Sequence, residues 1–156
     1  MLVFCYHLIM LQPSILQKYS LFGGLMEEQI EGIIPFMTEE KFKAEDIIIT
    51  EGKTNDRIFF IIEGQVSVSK KDMVLINFNE GDVFGEMEVL DVMPAAASIK
   101  ALTPVRVMTI SNKSLRDIYK KDVTTFTLVL MNLARDLVRR LRKMDEKFAS
   151  SPPILY

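Results

Sequence analysis

"GDVFGEMEVLDVMPAAASIKA", residues 81–101, decides how the rest of the chain is read. Val83 and Phe84 end a short apolar run, Gly85 follows, and from Glu86 the residues suit a short helix. Glycine lets a backbone approach a ligand closely, and unpaired N–H groups at a helix start attract anions. The same residues equally suit an ordinary strand-ending turn. Glu86 and Glu88 also have two readings. A carboxylate can accept from a ligand hydroxyl, or two acids can sit near the positive end of a helix dipole. After Pro94 come Ala95, Ala96 and Ala97, then Ser98.

On both sides of this stretch lie short runs rich in Ile, Val and Phe. They are "FKAEDIIITEG", "RIFFIIEGQVSVSK", "VLINFNEGDVFGE", "AAASIKA" and "VRVMTIS", with Gly52, Gly64, Gly81 and Gly85 between and within them. "QVSVS" alternates strictly, the period of a half-buried strand. Short strands at this spacing, with no parallel crossover pattern, point to an antiparallel sandwich or jelly-roll barrel. "EGKTND" and "KKD" read as turns.

Helices bracket the strands. Residues 13–37 read as two short helices separated by a turn at "FGG", with Leu25, Ile30, Ile33, Ile34 and Met37 on an apolar face. After a short helix opened by Ser114, apolar residues from Thr124 to Phe148 recur every three or four positions: Phe126, Leu130, Leu133, Leu137, Leu141, Met144 and Phe148. That stripe runs for roughly seven turns. It reads either as a face packed on the barrel or as a seam for a second copy. A helix this long exceeds one small barrel, so the first half is expected on the barrel and the second against a partner.

Composition narrows the class. Hydrophobic residues make up 49% of the 156 and charged residues 26%, the balance of an ordinary folded domain. A net charge of -2 gives no field for nucleic acid or acidic lipid. The arginines of the long helix have no aromatic residues among them and read as a solvated face. Cys5 is the sole cysteine and His7 the sole histidine, so neither a disulfide nor a metal site of usual spacing can form within one chain. No nucleotide-binding glycine motif of the Walker or dinucleotide kind is present. An enzyme is therefore not expected, nor a metal.

Residues 1–12 are very apolar but lack a basic leading segment and a cleavage site. They are too short to span a bilayer, and Met10 is a more natural start. Four segments are expected: an apolar leader over 1–20, a jelly roll over 21–122, the long helix over 123–148 and a tail over 149–156. A cytoplasmic location fits the single cysteine, and no membrane attachment is expected.

Taken in order, "EGKTNDRIFFIIEGQVSV", "GDVFGEMEVL", "PAAASIKALTPVRV" and the long helix resemble the cyclic-nucleotide-binding domain family. The likeness covers about residues 20–148 and is greatest to the effector domain of catabolite-activator-type regulators. It implies an eight-stranded jelly roll, mainly β, with N-terminal helices and a long C-terminal helix. It also implies a phosphate-binding cassette over Gly85 to Ser98. Glu86 would accept from the ribose 2′-hydroxyl, and N–H groups near Gly85, Glu86 and Ala96 would face ribose and phosphate. The Ser98 hydroxyl would reach the nucleotide. The long helix would close over the base and pair in a homodimer through Phe126, Leu130, Leu133, Leu137 and Leu141.

Two departures stand out. The family's cassette carries an arginine after its proline, and Ala95 holds that place here. A hydrogen bond to a charged group contributes about 1.5–3 kcal/mol. Loss of the clamp should weaken binding by about ten- to several-hundred-fold. Glu88 stands where a small residue is usual, and its charge would oppose a phosphate. Lys100 and Arg106 are near in sequence but fall on strands. The second departure is that the chain stops eight residues past Phe148, so no helix-turn-helix and no direct DNA contact is expected. The resulting expectation is a regulatory or interaction module that needs no cofactor and binds a cyclic nucleotide weakly at most. A protein partner fits it. The alternative is a true sensor acting through Glu86 and backbone N–H groups. A variant has Ile154, Leu155 and Tyr156 plugging the pocket.

Overall fold

The computed structural model describes residues 12–150. The expectations for Cys5, His7, the start at Met10 and the tail plug lie outside that span. Among the described residues, five helices, two 3-10 turns and eight strands follow in order. Helix α1 spans Pro13–Leu16 and α2 spans Glu27–Ile33. The strands are β1 Thr38–Phe42, β2 Ile47–Ile49, β3 Arg57–Glu63, β4 Val66–Lys70, β5 Met73–Phe78 and β6 Val83–Phe84. Helix α3, Glu86–Asp91, interrupts them before β7 Ser98–Ala101 and β8 Val105–Ser111. The chain then runs through α4, Asn112–Lys121, into α5, Val123–Ser150.

Two four-stranded antiparallel sheets face each other, in orders β1-β8-β3-β6 and β2-β7-β4-β5. Strand 1 pairs with 8, 2 with 7, 3 with 6 and 4 with 5. One long hairpin, with the β4–β5 turn at its tip, has been wound into a barrel. This is the jelly roll that the short alternating strands imply.

Two cores result. Phe59, Ile61, Phe84, Ile99 and Val107 fill the space between the sheets. Ile58, Phe60, Ile62, Met108 and Ile110 point the other way, where Leu21, Phe22, Ile30, Ile118 and Leu133 of the helical layer cover them. Strand β3 is therefore buried on both faces, which is why "RIFFIIE" is an unbroken apolar run rather than an alternating one. Leu16 is 1% exposed and Tyr19 packs on the same core, although both precede the boundary expected at residue 20.

The helical layer is fixed by polar contacts as well. Asn132 on α5 is buried, and its amide donates to the Leu21 and Gly23 carbonyls at 3.0 and 2.8 Å. Ser111, not Ser114, caps α4: its hydroxyl accepts from the Ser114 N–H at 3.0 Å. Among the described residues no helix is long and apolar enough to cross a membrane.

Candidate functional site: a cassette closed by its own side chains

The cassette begins at Gly85, whose φ of 76° lies in the left-handed region. A Cβ there would come within 2.7 Å of the Arg57 carbonyl and 2.9 Å of Phe59. Only glycine fits, and the reason is this close approach to β3 as well as the turn. Asn55 holds the corner, its amide donating to the Arg57 and Gly85 carbonyls at 2.7 and 3.1 Å.

Glu86 is buried, 3% exposed. Its Oε1 accepts from Arg140 Nη1 of α5 at 2.7 Å. The same guanidinium donates through Nη2 to the Val83 carbonyl, and its centre lies 4.3 Å from the Phe78 ring centroid. Burial pushes the Glu86 carboxyl above its usual value, and the Arg140 charge offsets only part of that rise. Arg140 was not singled out from the sequence. It is one of six cations in the second half of the helix, and only the fold shows which of them turns inward.

Ala95 is buried, and its backbone pins the cassette to the turn before β3. Its N–H donates to the Lys53 carbonyl and its own carbonyl accepts from the Gly52 N–H, both at 2.8 Å. The Ala96 N–H, expected to face a phosphate, donates at 3.3 Å to Oε1 of Glu88. A carboxylate of the same chain thus takes the N–H that the resemblance assigns to a ligand. The cavity bounded by Gly85, Glu86, Glu88, Ala96, Ile99 and Arg140 has a volume of about 70 Å³. Small-molecule pockets are typically several times larger, from about 300 Å³.

One expected participant, Ser98, lies elsewhere, and the two cations near in sequence stay on their strands. Ser98 alternates with the inward Ile99, so its hydroxyl is on the outer face of the sheet, accepting from the Glu51 N–H at 2.9 Å. The structure therefore separates Ser98 from Gly85, Glu86 and Ala96. Lys100 pairs with Glu45 at 2.8 Å, and Arg106 with Glu39 and Glu63 at 3.0 and 3.2 Å. Neither cation lines the cassette cavity.

The helix stripe also needs correction. The residues of α5 that are buried against the domain are Thr125, Val129, Asn132 and Leu133. Of the expected line only Leu133 is among them; Phe126 and Leu130 are partly buried on the helical core. Leu137 is half-buried, and Leu141 is 58% exposed. Thr125 and Asn132 can face inward because Asp122 and the Leu21 and Gly23 carbonyls satisfy them. This rotates the packed face away from the apolar stripe. Past Arg140 the helix leaves the domain, with Met144 66% and Phe148 86% exposed.

Comparison with known proteins bears on the same residues. The profile described as Cyclic nucleotide-binding domain matches residues 39–122, more than half of the chain. The chain belongs to the cyclic nucleotide-binding domain family. It is 27% identical over 143 residues to the cGMP-dependent protein kinase of Caenorhabditis elegans, covering 85% of this chain and 18% of that protein. It is 30% identical over 135 residues to the cAMP-dependent protein kinase type II regulatory subunit of Drosophila melanogaster, covering 86% of this chain and 32% of that one. The chain thus spans a third or less of these two relatives, and the matched part is the cyclic nucleotide-binding domain. In structure it resembles a cyclic nucleotide-binding domain from Methylobacillus flagellatus, with a TM-score of 0.81, 24% identity and coverage of 94% and 85% of the two chains. No cluster of His, Cys, Asp and Glu that could hold a metal occurs among the described residues.

Proposed function

We propose that this chain is a non-enzymatic regulatory and interaction module that does not bind cyclic AMP or cyclic GMP tightly. The observation that carries this reading is the contact of Glu88 with the Ala96 N–H, beside a buried methyl at Ala95. A cyclic phosphate entering the cassette would meet a carboxylate on the donor it needs, no cation at Ala95, and in Arg140 a cation already paired with Glu86. The relatives named for cyclic AMP and cyclic GMP supply the comparison, not the conclusion. The output is assigned to α5, whose outer line of Val138, Leu141, Met144 and Phe148 is solvent-exposed. These residues are spaced by three and four, and a second copy packing along them would form a homodimer.

Calorimetric titration of cyclic AMP and cyclic GMP tests this. No binding below about 100 μM is expected for the natural chain. Ala95→Arg is expected to raise affinity at least tenfold by restoring the cation; no change would mean that the cradle itself has gone. Micromolar binding by the natural chain would sink the reading and favour a true sensor.

A further inference from the structure

Strand β5 is the edge of its sheet, in the order β2-β7-β4-β5. Four consecutive apolar side chains on it stand in solvent: Met73 is 67% exposed, Val74 62%, Leu75 49% and Ile76 40%. The register explains the run. Ile76 pairs with Val68 and Val74 with Ser69, so Leu75 is an extra residue in the strand. This bulge carries Val74 to the outer face, where it borders the same groove as Asn77. Edge strands in natural sheets are usually guarded by charge, by proline or by a covering element. From Met73 to Phe78 there is neither charge nor proline. A bulge bends such an edge but leaves it apolar.

The two ends of the strand differ in net charge. Lys70, Lys71 and Asp72 precede it, one net positive charge; Glu80 and Asp82 follow it, both negative. When two such strands lie antiparallel about a two-fold axis, the lysine end of each meets the acidic end of the other. Parallel pairing would instead set like charges side by side.

We propose that β5 is a self-association edge, against which a second copy of this chain lays its own β5 antiparallel, joining the two four-stranded sheets into one. This surface is distinct from the exposed line on α5. With two self-complementary contacts, a chain can assemble beyond a dimer.

Sedimentation velocity of the Leu141→Glu chain separates the two contacts, since that change removes the helix seam and leaves β5 untouched. A concentration-dependent dimer is expected, and adding Leu75→Lys should weaken it at least tenfold with an unchanged circular dichroism spectrum. In a Cys5→Ser background, Val74→Cys, Leu75→Cys and Ile76→Cys are each oxidised. At least one should give a covalent dimer, because a two-fold antiparallel pair brings equivalent residues near its axis within disulfide reach, about 4.4–6.8 Å between Cα atoms. A Leu141→Glu chain that is monomeric at every concentration and never cross-links would overturn the proposal. So would a dimer indifferent to Leu75→Lys. Failure of the helix seam would show separately, as a Leu141→Glu profile identical to that of the natural chain.

Discussion

Arg140 and Glu86 are 54 residues apart in sequence, and their side chains meet at 2.7 Å. Through them the long helix is tied to the first residue of the cassette helix. The pair is sheltered, with side-chain exposures of 23% and 4%. Removing one partner of a buried pair leaves the other charged and unsatisfied. Arg140→Ala should therefore destabilise the domain by about 1–3 kcal/mol. Denaturant titration measures this. Combining Arg140→Ala with Glu86→Gln should cost less than the sum of the two single changes. Strict additivity would mean that the two side chains do not interact in solution.

The same carboxyl sets a pH dependence. Its folded pKa is raised above the ordinary 4.5, chiefly by burial. The folded state therefore holds this proton more tightly than the unfolded chain. Its contribution is full below 4.5 and fades as pH rises through the elevated folded value. The melting temperature of the natural chain, relative to Glu86→Gln, should fall between pH 4 and pH 7. A difference that stays flat over that range would contradict the raised value.

Two glycines separate backbone strain from crowding. Gly85 and Gly52 have φ of 76° and 79°, but a Cβ on Gly52 would meet nothing within 4 Å. Gly52→Ala should cost about 1 kcal/mol, the penalty for the conformation alone. Gly85→Ala adds collisions with Arg57, Asn55 and Phe59 and should cost at least about 3 kcal/mol. Equal costs in thermal unfolding would show that β3 yields to the added methyl.

Glu88→Ala frees the Ala96 N–H and removes a charge from the cassette. In the Ala95→Arg background it should raise cyclic-nucleotide affinity by a further factor of about five or more, read by calorimetry. An unchanged dissociation constant would mean that Glu88 does not compete with the ligand.

The barrel was legible because its signals are local. Short runs, period-two alternation and turn glycines each act over a few residues, and "FGE" with its spacing marks the family. The corner at Gly85 and the helix start at Glu86 could be placed on the same basis. What was not legible depends on rotation about long axes. A helix whose inward line includes Thr125 and Asn132 cannot be phased from its apolar residues, because hydrogen bonds hold those two in the core. Arg140 was hidden for the same reason. Ser98, expected in the cassette, has its hydroxyl on the outer face, because each step along a strand reverses the face. At Ala95 the resemblance gives only the expectation of a replaced arginine, and the carboxylate taking the Ala96 N–H needed coordinates.

Strand β3 has a consequence for how the two halves of the molecule communicate. Phe59 stacks on Phe84 inside the barrel at 4.8 Å, while Phe60 lies edge-on to Phe22 and Tyr19 beneath the helices. The two rings belong to adjacent residues. The barrel interior and the floor of the helical layer are thus opposite sides of one ribbon of backbone, one peptide bond thick. Anything that displaces Phe59 or Phe84 from within needs no relay of loops to be felt by the helices.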